Sequence, residues 1–133
     1  MLSLQSSFRA RRSSPATLVA DCYASAHRAF ESGDESKATH LFGVLAMLAP
    51  RDERAWLGLA LCQERSGRLR AAASLYDLGA TLAPTSTRCH LGLARALREL
   101  GRVTAAEAAF DAAERTCVDT EMLAAVCAAR RAL

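Results

Sequence analysis

Small apolar residues and aromatics recur along this chain at one fixed interval. Ala26, Ala60 and Ala94 lie 34 residues apart, and so do Ala38, Ala72 and Ala106 and the aromatics Phe42, Tyr76 and Phe110. Between the two alanine series runs a glycine of the same period, Gly33, Gly67 and Gly101. Pro50 and Pro84 come eight residues after the first two aromatics, and Val118 takes the matching place in the third unit. Each feature has a local cause. The glycine marks a turn where the chain leaves right-handed helical space, which a residue without Cβ does cheaply. Alanine and aromatic, four apart, share one face of a helix. Proline ends that helix, having no N–H to donate and disfavouring helical geometry before it. Asp52 and Ser86 follow the prolines by two residues, placed to cap the next helix. The pattern predicts helix–turn–helix units over roughly residues 19–52, 53–86 and 87–120.

A 34-residue period in these residue types resembles the tetratricopeptide repeat. The fold expected is all-α, three such repeats in a right-handed superhelical stack. Met122, Leu123, Val126 and Cys127 form an apolar stripe over 121–133, with Arg130 and Arg131 near its end, which predicts a C-terminal capping helix. A stack of repeats needs one to cover its last apolar face. Residues 15–133 are thus expected to form a single domain. Residues 1–14 are rich in serine and arginine, with no acid before Asp21. They are expected to be a flexible arm, while an ordered arm serving self-association or a partner contact, and an organellar transit peptide, remain open readings. Ser14-Pro15 suits a helix start, serine as cap and proline in the first turn.

The repeat resemblance implies that the first helix of each unit lines a concave groove, chiefly through its second, fifth, ninth and twelfth places. Those are Ala20, Tyr23, His27 and Phe30; Arg54, Leu57, Leu61 and Glu64; and Arg88, Leu91, Arg95 and Arg98. Tyr23, His27, Phe30, Leu57, Leu61, Glu64, Leu91, Arg95 and Arg98 are the candidate partner-binding residues. The surface runs from aromatic through aliphatic to basic. It lacks the lysine and asparagine with which some repeat modules clamp a terminal carboxylate, for those places hold Tyr23 and His27, and Gly58 and Gly92 fall where other clamp residues would. These two glycines stand at the sixth place of their units, inside Leu-Gly-Leu-Ala strings, where glycine costs about 1 kcal/mol of helix propensity relative to alanine. Two explanations are open: close helix packing, or room for a ligand's backbone.

Charge and chemistry narrow the function classes. The formal net charge is +3, Lys37 is the only lysine, and the arginines alternate with acids along the helices, so the chain carries no single-sign patch interleaved with aromatics for nucleic acid. Heavy alanine and arginine usage suggests a GC-rich bacterial source. No run approaches the ~20 apolar residues of a membrane span. Five cysteines make no CxxC pair or zinc spacing and read as free thiols of a reducing compartment, with a regulatory disulfide as the other reading. His27, His40 and His90 are scattered. Neither a metal site, a cofactor loop nor a catalytic triad can be assembled from these residues, so an enzyme is not expected.

Leu41–Ala113 resembles the tetratricopeptide chaperones of bacterial type III secretion, the class that protects translocator subunits before export. The likeness rests on the apolar helix Leu41-Phe42-Gly43-Val44-Leu45-Ala46-Met47-Leu48-Ala49 ending at Pro50, on Trp56-Leu57-Gly58-Leu59-Ala60, and on the run from Gly67 to Tyr76 with Gly79-Ala80 closing the same helix. The resemblance implies a chaperone in the bacterial cytoplasm, holding a secreted client's extended or helical segment in the groove, with a homodimer or a co-chaperone as further partner. Members of that class usually carry a longer N-terminal helical region, used for dimerisation. A generic interaction scaffold in a bacterial assembly, and a chaperone of a needle subunit or early export substrate, are the alternative functions.

Overall fold

The computed structural model describes residues 14–132, so the arm expected over 1–14 lies outside it apart from Ser14. Among the described residues the chain forms seven helices: α1 (Pro15–Glu31), α2 (Glu35–Leu48), α3 (Glu53–Arg65), α4 (Leu69–Leu82), α5 (Thr87–Glu99), α6 (Val103–Thr116) and α7 (Thr120–Arg131). The architecture is all-α. α1–α2, α3–α4 and α5–α6 are antiparallel hairpins, each second helix also packs on the first helix of the next hairpin, and among the first helices α3 touches both α1 and α5.

Short polar residues set where helices begin. Ser14 Oγ accepts the Thr17 N–H, Asp34 caps α2, Asp52 caps α3 and Ser86 caps α5, each satisfying an N–H that the helix leaves unpaired. The three turns inside the hairpins are alike. Gly33, Gly67 and Gly101 adopt φ of +82°, +78° and +79°, the left-handed region where a Cβ is strained. Trp56 and His90, one period apart, do one job with different chemistry: the indole N–H donates to the Pro50 carbonyl at 2.7 Å, and the imidazole Nε2 lies 2.8 Å from the Pro84 carbonyl. Both tie the loop that closes one hairpin to the first helix of the next.

Between hairpins the core is built on aromatics seated against glycine. A Cβ at Gly58 would stand 2.3 Å from the Phe42 ring, and one at Gly92 would stand 2.4 Å from the Tyr76 ring. Both rings are 4% exposed, so the sixth-place glycines are explained by close packing of the chain on itself. Burial raises the Tyr76 hydroxyl's pKa, helped by the Glu64 carboxylate beside it. At the matching place of the last interface stands Val126, which is buried. Phe110 is fully buried there and is overlaid by guanidinium groups, Arg98 at 5.1 Å and Arg130 at 5.8 Å from the ring centre.

The capping helix is held by charge as well as by apolar contact. Arg130 pairs with Glu107, with Asp111 (2.9 Å) and with Glu114 (3.0 Å) across α6, and these acids raise its already high pKa. Arg98 Nη1 donates to the carbonyls of Ala129 (3.0 Å) and Arg130 (3.2 Å), satisfying the last turn of α7. All five cysteines are free thiols, with Cys22, Cys62 and Cys89 buried.

Two outcomes are expected. Gly58→Ala gains helix propensity of about 1 kcal/mol but drives a methyl into the Phe42 ring, so overpacking wins by about 1–2 kcal/mol; urea denaturation should show a lower midpoint, whereas an unchanged or raised one would mean the ring yields freely. Asp52 bears on pH dependence. Its carboxylate accepts three hydrogen bonds from the Arg54 side chain, Nε to both oxygens (3.0 and 3.2 Å) and Nη2 to Oδ2 (2.7 Å), which holds its pKa below the usual value. A depressed carboxylate contributes stability that is full above its unfolded pKa of about 3.9 and is lost as pH falls through the lower folded value. Asp52→Asn keeps a capping oxygen but loses the ion pair, so its thermal midpoint should lie below wild type at neutral pH and converge with it in acid.

Candidate functional site

The inner face of the stack carries two hollows that meet at Leu61. The first, about 130 Å³, lies between the first and second hairpins. Tyr23, His27 and Phe30 of α1 form one wall, Leu57 and Leu61 of α3 the other, and Phe42 shows at the bottom beside Gly58. The second, about 630 Å³, lies between the second and third hairpins, with Leu61, Glu64, Tyr76, Gly92 and Arg95 among its lining. The floor of each is thus the ring that the neighbouring glycine admits.

Arginines from the second hairpin stack on the aromatics of the first. The Arg54 guanidinium lies 4.3 Å from the Tyr23 ring centre, held in place by Asp52, and Arg65 lies 3.6 Å from that of Phe30. Arg65 Nη1 also donates to the Phe30 carbonyl at 2.8 Å. Such cation–π contacts contribute about 0.5–1 kcal/mol at partly exposed sites, and here they also fix ring orientation. The Tyr23 and His27 ring centres are 5.8 Å apart, and His27 Nε2 lies 3.5 Å from Glu31. Arg88 reaches Glu53 at 3.7 Å. The result is an apolar trough with cations along its rim.

The nine candidate residues take different places. Tyr23, His27, Phe30, Leu57 and Leu61 come together around the first hollow, and Leu61, Glu64 and Arg95 around the second. Leu57 is 6% exposed and belongs to the central core, whereas Leu61, at 37%, presents its side chain to the trough. Leu91 lines neither hollow; it is half-buried against the cluster of Ala94, Phe110 and Ala129. Arg98, as described above, is engaged at the end of α7 and over Phe110. Phe42 and Tyr76 line the hollows without belonging to a first helix. Their signal in the sequence is an aromatic sixteen residues before a mid-helix glycine, 42 with 58 and 76 with 92.

Among the described residues no cluster of three or more His, Cys, Asp or Glu could hold a metal ion, and no helix is long and apolar enough to cross a membrane. The trough can take up apolar side chains and pair acids with Arg88 and Arg95 at its edge.

Tetratricopeptide repeat models match residues 23–87 and 65–129. Comparison with curated proteins finds no match. Among solved structures, the chain is similar to PcrH from Pseudomonas aeruginosa, with 25% identity and a TM-score of 0.75 over 84% of this chain and 88% of that one. PcrH in complex with the chaperone binding region of PopD gives 27% identity and a TM-score of 0.74 over 89% and 91%. The Yersinia enterocolitica type III secretion translocator chaperone SycD gives 24% and 0.73 over 83% and 85%, a likeness of fold. These structural neighbours thus include a type III secretion translocator chaperone, and the hairpin stack, its turn glycines and two repeat models spanning 23–129 together make this chain a member of the tetratricopeptide repeat family.

Proposed function

We propose that this protein is a cytoplasmic, non-enzymatic chaperone of a bacterial type III secretion system, and that it masks an apolar segment of a secreted, translocator-like client in the concave trough before export. In this reading residues 15–133 work as one peptide-binding unit. The observation that carries it is the continuous trough: two hollows, floored by buried rings and joined at Leu61, with arginines on the rim. Similar chains support it, since PcrH has been seen bound to the chaperone binding region of PopD, and SycD to a peptide of the translocator YopD.

The mechanism is masking by burial. Apolar anchors of the client leave water in the hollows at about 25 cal/mol per Å², less the cost of ordering the segment. Arg88 and Arg95 favour a client whose anchors are flanked by acids, which speeds encounter more than it deepens affinity. A client so held cannot associate or insert through the same residues until the complex is pulled apart. A folded partner would lack a free segment to enter the trough.

Leu61→Glu tests this reading. Leu61 is the exposed apolar residue shared by both hollows, so a carboxylate there should reduce client co-purification at least about tenfold while circular dichroism stays helical. Leu57→Glu is a poorer test, because Leu57 is part of the core. Mass spectrometry of what co-purifies from the native cell should find a small secreted protein in fixed ratio, insoluble or proteolysed when made alone. A partner that is stable by itself, or full binding by Leu61→Glu, would reject the reading in favour of a scaffold.

A further inference from the structure

A third hollow, about 750 Å³, lies on a different side of the stack. Its floor is Leu93, Leu97 and Leu100, which sit roughly a third of a turn around α5 from the residues that line the inner trough. Its walls are the second helices α4 and α6, so it faces outward between the second and third hairpins. It exists because α6 presents only alanines to it, Ala105, Ala108 and Ala109. One period earlier the place of Ala109 is held by Leu75, whose side chain packs on the central core.

The charges around this canyon are ordered. Arg70 and Arg102 lie at the end where α4 and α6 begin. Both helices start on an arginine, Arg68 or Arg102, with no side-chain cap and no acid in the first turn, so two positive helix ends add to the side chains there. Asp77 lies on the α4 wall seven residues, or about two turns, beyond Arg70. Among the described residues none of Arg70, Arg102 and Asp77 makes an ion pair.

We propose that this outward canyon is a second docking site, which receives an amphipathic helix of a partner protein with an acidic residue at one end and a basic residue two turns away. Small walls set parallel over a leucine floor match the girth of a helix, as α5 itself lies between α4 and α6. Its acid meets Arg70 and Arg102, its base meets Asp77, and its apolar stripe covers Leu93 and Leu97. The preferred direction puts the helix C-terminus at the arginines, antiparallel to α4 and α6, so that its dipole opposes theirs. The site stands apart from the concave trough, so the protein could hold a client and a second partner together.

The probe is a fluorescein-labelled, stapled peptide of about three turns, leucines on one stripe, lysine near the start and glutamate two turns on, the staple holding it helical where a free peptide would be marginal. Fluorescence anisotropy should show saturable one-to-one binding to the full chain. Ala109→Leu, which restores the leucine of the second hairpin, and Arg102→Glu should each weaken it at least about tenfold, while Leu61→Glu should leave it unchanged. Arg102→Glu is a surface change and decides the matter if the leucine variant fails to fold. The proposal is overturned by absent or unsaturable binding, by equal binding of a peptide with its lysine and glutamate exchanged, or by loss in Leu61→Glu alone. It is also overturned if deleting residues 1–13 tightens binding tenfold, which would make the chain's own arm the occupant. Sedimentation that shows a dimer broken by Ala109→Leu would assign the canyon to a second copy. Every failure here leaves the concave reading to its own test.

Discussion

The contact on which this fold depends is a flat ring pressed against bare helical backbone. Phe42 against Gly58 and Tyr76 against Gly92 let the second helix of one hairpin approach the first helix of the next more closely than any Cβ would permit. Glycine inside a helix costs about 1 kcal/mol, and burying an aromatic returns more than that. The same contact sets the function, because the hollows between first helices are bottomed by those rings. Packing and site are one construction.

Charge has two uses in this molecule. Arg54 and Arg65 are stacked on Tyr23 and Phe30, and Arg98 and Arg130 bind α7 to the stack, so these cations are engaged internally. Arg88 and Arg95 remain on the rim of the trough, Arg88 only loosely paired with Glu53. A residue type that reads uniformly as surface charge along the chain therefore divides into braces and recognition groups only in three dimensions.

Much of the fold was readable because its determinants are local. Turn glycines, capping Asp52 and Ser86 and the stopping prolines act within a few residues, and a strict period repeats them. The candidate site was readable as a face, since helical register places Tyr23, His27, Leu57 and Leu61 on one side. What each side chain does there was not. Arg98 is taken up by carbonyls some thirty residues later, and Leu91 turns to the third cluster because α7 crosses there. The mid-helix glycines take their meaning from a ring of the preceding hairpin, a contact that helical register alone does not specify. The outward canyon depends on what alanine fails to fill, and a period defined by shared residues does not display a difference between Leu75 and Ala109.

Val126 gives the last consequence. A modular stack has no intrinsic length, for every hairpin offers its successor the surface it received from its predecessor. Valine where the two earlier interfaces have glycine denies Phe110 the bare backbone on which Phe42 and Tyr76 rest, and α7 adds ion pairs with α6. The last joint of the stack is therefore held in good part by charge, and it is the one that added salt would loosen first.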